Sequence, residues 1–323
     1  MPRQQSVSDL VSRAQNGEPR SVARLISMVE DGSAQLREVA AALAPHTGRA
    51  QVVGLTGPPG VGKSTTTSVL VKVFRERGSR VGVLAVDPSS PFSGGALLGD
   101  RVRMQDHATD SGVFIRSMAT RGHLGGLASA TPQALRVLDA AGCDVVLLET
   151  VGVGQSEIEV VALADTTIVL LAPGMGDGIQ AAKAGILEVA DLFVVNKSDR
   201  EGADQTVRDL RYMLSLGEHH KRDGSVWRAP IVKTIASKAS GIDDVVAKIE
   251  EHRDWMNRSG ERERRRQRRA ESEIEAITLE QVRARIGDVR GEDALPELAK
   301  RVVAGEIDPF TAAAELINTV SSR

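Results

Sequence analysis

One cysteine, Cys143, occurs in 323 residues, and two tryptophans, one tyrosine and five phenylalanines are the whole aromatic complement. A lone thiol closes no intramolecular disulfide, so nothing points to an oxidising compartment, and Cys143 reads as a small buried residue at the start of a strand. With so few aromatics the core has to be built from Val, Leu, Ile and Ala, and stacking platforms for nucleic-acid bases are not expected. An excess of one charge is also missing. The 41 basic and 43 acidic side chains leave a formal net charge of -2, which argues against a surface that is one large nucleic-acid trap and leaves only a local patch open. No apolar run approaches the roughly 20 residues needed to cross a bilayer, and the first residues contain no continuous hydrophobic region. The expectation is a soluble, cytoplasmic protein with no membrane and no nucleic-acid partner.

What is present changes texture twice. Residues 1–48 carry three short amphipathic patterns, "VSDLVSRAQ", "PRSVARLISMVE" and "AQLREVAAAL", punctuated by Gly17 and Gly32; they predict a helical extension. Residues 49–257 alternate helical periodicity with seven apolar runs: "QVVGLTG", "RVGVLAVD", "GVFIRS", "DVVLLET", "TTIVLLAP", "LFVVNKSD" and "APIVKTIAS". Most are continuously apolar, as strands are when both sheet faces are covered, so the fold class expected is α/β, a doubly wound and mostly parallel sheet with ligands at the carboxyl ends of its strands. Residues 258–323 are helical. "SGERERRRQRRAESEIEAITLEQVRARIGD" predicts one long helix with a single apolar stripe, and Asp308-Pro309 starts the last helix. The run "RERRRQRR" reads as a solvated helix face in preference to a nucleic-acid patch, and the tail as an interaction or dimerisation element.

Directly after the first strand comes "GPPGVGKST", residues Gly57, Pro58, Pro59, Gly60, Val61, Gly62, Lys63, Ser64 and Thr65. This is the phosphate-binding pattern G-x-x-x-x-G-K-[ST]. Its glycines let backbone N–H groups face phosphate oxygens, Lys63 reaches the β- and γ-phosphates and Ser64 ligates magnesium. The sixth strand ends in Asn196, Lys197, Ser198 and Asp199, the N-K-x-D pattern of guanine-nucleotide sites. A carboxylate at Asp199 accepts from the N1–H and the exocyclic amine of guanine, a donor pair that adenine lacks. Lys197 would pack its stem on the purine, Asn196 would brace the loop, and Ala236-Ser237-Lys238 would lie against the base.

"ETVGVGQSE" stands where P-loop GTPases carry D-x-x-G, with Glu149 in place of the usual aspartate and Gly152 placed to sense the γ-phosphate. Asp87 and Asp100, around "DPSSPFSGGALLGDR", are two further acids expected to help hold magnesium or orient water. Gln155 is a candidate to position that water, and intrinsic turnover is expected to be slow and partner-stimulated. "APGMGDGIQAAKAGILE" carries Asp177, Gln180 and Lys183 in a second glycine-rich loop, read as a switch contacting a partner or a neighbouring subunit's nucleotide.

Taken together, "GLTGPPGVGKST", "AVDPSSPFSGGALLGDRVRM", "ETVGVGQSE", "APGMGDGIQAAKAGI" and "VVNKSD" resemble the MeaB/ArgK family of P-loop GTPases, along nearly the whole chain. The resemblance implies a GTP- and magnesium-dependent chaperone of adenosylcobalamin-dependent methylmalonyl-CoA mutase. Such a protein gates cobalamin loading from an adenosyltransferase, protects or rescues the mutase, dimerises through its C-terminal helices, and signals through the segment around Lys183. Other readings are an arginine/ornithine transport-associated kinase or ATPase, which Asp199 argues against, a nucleic-acid-associated GTPase using the arginine run, and a metallochaperone GTPase, for which His- or Cys-rich tracts are missing.

Overall fold

The computed structural model describes residues 6–88, 104–107, 109–120, 126–150, 162–174, 189–217, 226–290 and 294–321. They belong to two compact units, Met1–Arg269 and Ala270–Arg323.

The first unit opens with helices α1 (Val7–Gln15), α2 (Pro19–Glu30) and α3 (Leu36–Leu43). Ser6 caps α1, its hydroxyl accepting the Asp9 N–H at 3.2 Å, and Pro19 opens α2, where a missing N–H costs nothing. Their apolar stripes, including Leu10, Val11, Leu25, Ile26 and Leu43, are buried.

Seven strands follow among the described residues: β1 (Gln51–Thr56), β2 (Val81–Pro88), β3 (Val113–Thr120), β4 (Val145–Thr150), β5 (Thr166–Leu171), β6 (Leu192–Val195) and β7 (Ile231–Lys233). They match the seven apolar runs. Their pairings are parallel, in the order β3-β2-β4-β1-β5-β6-β7. Successive side chains point to opposite faces, and both faces are covered. On one lie α4 (Lys63–Glu76) and α7 (Ile242–Ser259), packed on Val53, Leu55, Leu147, Ile168, Leu170 and Val194. The other takes α1–α3 with α5 (Gly126–Ala140) over Leu84, Val86, Val146 and Leu148, and α6 (Ala203–Gly217) over Val169, Leu171, Phe193 and Val195. Each such side chain contributes roughly 1.5–3 kcal/mol by leaving water, and the double coverage is why the runs are continuously apolar.

The N-terminal helices are fastened to this sheet by charge as well as by packing. Arg116 of β3 donates to Ser27 Oγ at 3.0 Å and pairs with Glu30 of α2. Where they hand over to β1, the Asp139 carboxylate of α5 accepts the N–H groups of Gly48, Arg49 and Ala50.

The connection from β1 runs to β2 on one side, while that from β4 returns across β1 to β5 on the other. The chain thus reverses its winding direction at β1, between β4 and β5. The loops at the carboxyl ends of these strands surround the crevice where open α/β sheets take their ligands.

Helix α8 (Glu261–Arg290) begins in the first unit, and here the structure corrects one expectation. The arginine run is a solvated face only in part. Arg264 and Arg268 are exposed, whereas Arg265, Arg266 and Arg269, on one side of the helix, reach carboxylates at the amino ends of β5 and β6. Asp165, 1% exposed, accepts from Arg266 Nη2 at 3.1 Å, from Arg269, and from the Val52 N–H at 3.1 Å. Asp191, 4% exposed, takes both prongs of Arg265 at 2.8 Å. Burial alone would raise both carboxyls; Arg269 and Arg266 outweigh it at Asp165, and buried His252 together with Arg265 outweighs it at Asp191, so both are held below the usual carboxylate range. The charge run is internal counter-charge for two strand feet.

The second unit holds the rest of α8 with α9 (Ala294–Val303) and α10 (Pro309–Ser321). Arg301 Nη1 donates to Glu315 Oε2 at 2.7 Å, joining α9 to α10, and Asp308 caps α10 through the Phe310 and Thr311 N–H groups. Ile274, Leu279, Val282, Val303 and Phe310 are exposed apolar side chains of this unit.

Candidate functional site

The loop between β1 and α4 is folded around its glycines. Gly57 has φ +141°, and a side chain there would collide with the Leu170 carbonyl oxygen of β5. Gly62 caps α4 in the left-handed conformation, φ +97° and ψ 32°, open to glycine at no steric cost. The loop closes on itself through Lys63, whose Nζ donates to the carbonyl oxygens of Gly57 at 2.6 Å and Pro58 at 3.2 Å. Its ammonium is therefore held over the loop, at the positive end of α4.

Ser64, in the first turn of α4, donates its hydroxyl to Glu149 Oε1 at 2.7 Å. Glu149 sits near the end of β4, level with Leu55 of β1 and Ala85 of β2, and both side chains are almost wholly buried. A hydroxyl and a carboxylate oxygen converging beside a lysine-bearing loop form a hard-oxygen pair of the kind that would hold a magnesium ion. The residues present fit that ion. On β2 the backbone of Asp87 lies two positions beyond Ala85, at the same end of the sheet. Asp100, Gly152, Gln155, Asp177, Gln180 and Lys183 lie outside the described residues.

A second loop continues β6. Asn196 is 2% exposed and uses its amide at both ends. Its Nδ2 donates to the Val61 carbonyl at 2.8 Å; its Oδ1 accepts the Ala236 N–H at 3.0 Å and the Thr234 hydroxyl at 3.1 Å. Lys197 adopts φ +55°, a left-handed backbone that disfavours side-chain-bearing residues by about 1–2 kcal/mol, and donates Nζ to the Gly60 carbonyl at 2.6 Å. The Ser198 N–H donates to the Thr234 carbonyl at 3.0 Å. At the rim, Asp199 and Lys238 stand 3.7 Å apart, both side chains exposed. Ala236, Ser237 and Lys238 form one turn of 3-10 helix after β7.

Three segments far apart in sequence, 57–65, 196–199 and 236–238, thus form one continuous rim, and Asn196 is the piece that touches the other two. Thr234 belongs to it as well and was not singled out in the sequence; its signal would have been its place two residues ahead of the Ala-Ser-Lys turn. What the arrangement offers is a glycine-folded loop with an ammonium at the start of a helix, an oxygen pair suited to a divalent cation, and an exposed carboxylate at the far end.

The chain is similar to known proteins along most of its length. The family described as "Methylmalonyl Co-A mutase-associated GTPase MeaB" matches residues 22–290. A Pyrococcus abyssi protein that carries a GTPase name is 47% identical over 314 residues, spanning 97% of each chain. The mouse mitochondrial protein named "Methylmalonic aciduria type A homolog" is 34% identical over 341 residues, covering 99% of this chain and 81% of its own. Among solved structures, one described as "Crystal structure of LAO/AO transport system kinase" superposes with a TM-score of 0.72 at 26% identity, covering 99% of each chain.

Proposed function

The chain belongs to the MeaB family of methylmalonyl Co-A mutase-associated GTPases, and from that premise we propose that it binds GTP in the rim described above, hydrolyses it to GDP and phosphate, and serves as a nucleotide-dependent chaperone of adenosylcobalamin-dependent methylmalonyl-CoA mutase. The observation that carries the nucleotide reading is Asn196, one side chain bonded to the phosphate loop at Val61 and to the base loop at Ala236. Triphosphate and base are then recognised by one connected unit.

In this reading Gly57 to Thr65 hold the phosphates, with Lys63 turning from loop carbonyls to the β- and γ-phosphates. Ser64 and Glu149, joined by Asp87 and Asp100, would hold a magnesium ion, which would neutralise charge on the phosphate oxygens. Water adds in line to the γ-phosphorus as the bond to the β–γ bridging oxygen breaks; Lys63 and the loop N–H groups stabilise the charge that moves onto that oxygen. Gly152 reports the γ-phosphate and Gln155 orients the water. Asp199 accepts the N1–H and amine of guanine, against the stem of Lys197 and beside Ser237 and Lys238. Intrinsic turnover is slow and rises when the mutase engages the segment containing Asp177, Gln180 and Lys183.

The mutase partnership is supported by the family's description and by the name of the mouse relative. Gating of cobalamin delivery from an adenosyltransferase belongs to the same proposal. A homodimer through the C-terminal helices is supported by the exposed apolar side chains of Ile274, Leu279 and Val282 on α8, Val303 on α9 and Phe310 on α10, since exposed apolar surface marks association sites when it is contiguous. Among the described residues no helix is long and apolar enough to cross a membrane.

A second reading, a transport-associated kinase, is supported by the name of the superposed structure and requires ATP as donor. Calorimetry with GTP and ATP separates the two: tighter binding of GTP is expected, and a preference for ATP would overturn the base assignment. Co-purification with methylmalonyl-CoA mutase in a non-hydrolysable GTP analogue tests the partner; a mutase that never co-elutes in any nucleotide state defeats the chaperone assignment.

A further inference from the structure

The arginine face of α8 does more than docking a helix requires. Moving charges out of water offsets most of what their pairing gains, so buried ion pairs add little net stability over packed apolar residues, and their best-attested use is to fix geometry. The geometry fixed here is the position of β6.

Asp191, at the foot of that strand, has every polar atom engaged. Its N–H donates to the Thr167 carbonyl at 2.9 Å, and its own carbonyl accepts Trp227 Nε1 at 2.7 Å. Oδ2 accepts the Thr167 N–H at 2.9 Å and Arg265 Nη1 at 2.8 Å, while Oδ1 accepts Arg265 Nη2 at 2.8 Å. His252, fully buried, holds Nε2 at 3.3 Å from the same Oδ1 and Nδ1 at 2.9 Å from Thr166 Oγ1. From this foot the four residues Leu192–Val195, all 0–1% exposed, lead straight to Asn196, a span of about 16 Å from Asp191. The head is as firmly held: the Asn196 N–H donates to the Leu171 carbonyl at 2.8 Å, and the side chain joins the phosphate and base loops. Close-packed interiors are barely compressible. A short buried strand pinned at both ends therefore transmits the placement of its foot to its head.

We propose that Arg265 is a positioning residue for guanine recognition, acting through Asp191 and β6 on the loop Asn196 to Asp199. The two-pronged grip of its guanidinium sets where β6 stands, and so where the Asp199 carboxylate meets the base. This rests on the guanine-nucleotide reading given above.

The test is the ratio of affinities for GDP and inosine diphosphate, measured by calorimetry on the full chain. The two ligands share their phosphates and differ at the 2-amine that Asp199 reads, so a loss of folded protein scales both equally and leaves the ratio untouched. Arg265→Lys keeps the charge and loses the fork; it should lower the ratio at least about fivefold, roughly 1 kcal/mol. Asp191→Asn, which keeps an acceptor for Thr167 and weakens the hold on Arg265, should lower it in the same direction. Arg268→Lys, exposed on the same helix, should leave it unchanged. Folded Arg265→Lys and Asp191→Asn proteins with the wild-type ratio overturn the proposal. Should neither variant fold, the unaltered protein decides. Both tryptophans of the chain, Trp227 and Trp255, pack around His252 with ring centroids 4.8 and 5.6 Å away; saturating GDP should shift their emission more than inosine diphosphate does, and equal emission counts against the relay. A wild-type protein with no preference for GDP defeats the assignment of Asp199 itself, a different failure from an unchanged ratio in the variants.

Discussion

The Asn196 amide nitrogen stands 2.8 Å from the Val61 carbonyl oxygen, and a β-carbon on the next residue, Gly62, would come within 2.5 Å of that same nitrogen. The loop after β1 and the loop after β6 are therefore fitted to each other with no room for a methyl group between them. Gly62→Ala should separate them: strain at φ +97° costs about 1–2 kcal/mol of stability, while GTP affinity falls on the order of 100-fold, about 2.7 kcal/mol. Thermal melting and calorimetry on the same sample check both, and a variant with normal affinity would place the two loops further apart than described.

Asp199 is the one residue of the proposed site whose replacement should change ligand identity as well as strength. Asp199→Asn presents an amide that complements the additional carbonyl of xanthine, so GTP binding should fall by about 10² or more while xanthosine triphosphate gains. Competition between the two nucleotides on wild type and variant reads this directly.

Lys63 closes the phosphate loop through the Gly57 and Pro58 carbonyls and is proposed to move to the phosphates. Lys63→Ala should reduce GTP turnover at least about 10³-fold with the fold intact. Single-turnover phosphate release measures it, with circular dichroism as the check on folding.

Asp165 titrates below the usual carboxylate range because Arg269 and Arg266 outweigh its burial. A depressed folded pKa means that its contribution to stability is complete above the unfolded value, about 3.9, and is lost as pH falls through the folded value. Asp165→Asn should therefore cost about 3 kcal/mol near pH 7, with the gap to wild type narrowing steadily below about pH 4. Urea midpoints across pH 2.5–7 show it; a gap that is constant over that range would mean the ion pairs are not its cause.

Burial pushes the Cys143 thiol up to about 12. The reactive thiolate is then scarce and enclosed in the native state, so alkylation at pH 8 should follow global unfolding, with a labelling rate that rises only as urea approaches the midpoint.

Much of this was legible in the residue order. "TTIVLL" and "LFVV" announced buried parallel strands because no charge interrupts them, "GPPGVGKST" fell between a strand and a helix where a phosphate loop must, and Asp308-Pro309 opened α10 as expected. The arginine run was not legible in full. Arg265 and Asp191 are 74 positions apart, and an aspartate just ahead of a strand looks locally like any turn residue, so helix periodicity could mark one face of α8 without showing that the face meets buried carboxylates. Thr234 escaped for the same reason: its partner, Asn196, is 38 residues away. Local chemistry reads locally; counter-charges across a sheet need the fold.

That separation also orders events at the ribosome. Chains emerge N-terminal end first, so strands β5 and β6 can pair and bury their feet long before residues 265–269 exist. Until those arginines arrive, Asp165 and Asp191 have no guanidinium to face, and enclosing them requires either taking up protons or leaving the lower edge of the sheet open to water. The sheet is thus completed by almost the last segment of its unit to be made, and a nascent chain arrested before Glu261 should remain protease-sensitive at that edge while its nucleotide loops are already translated.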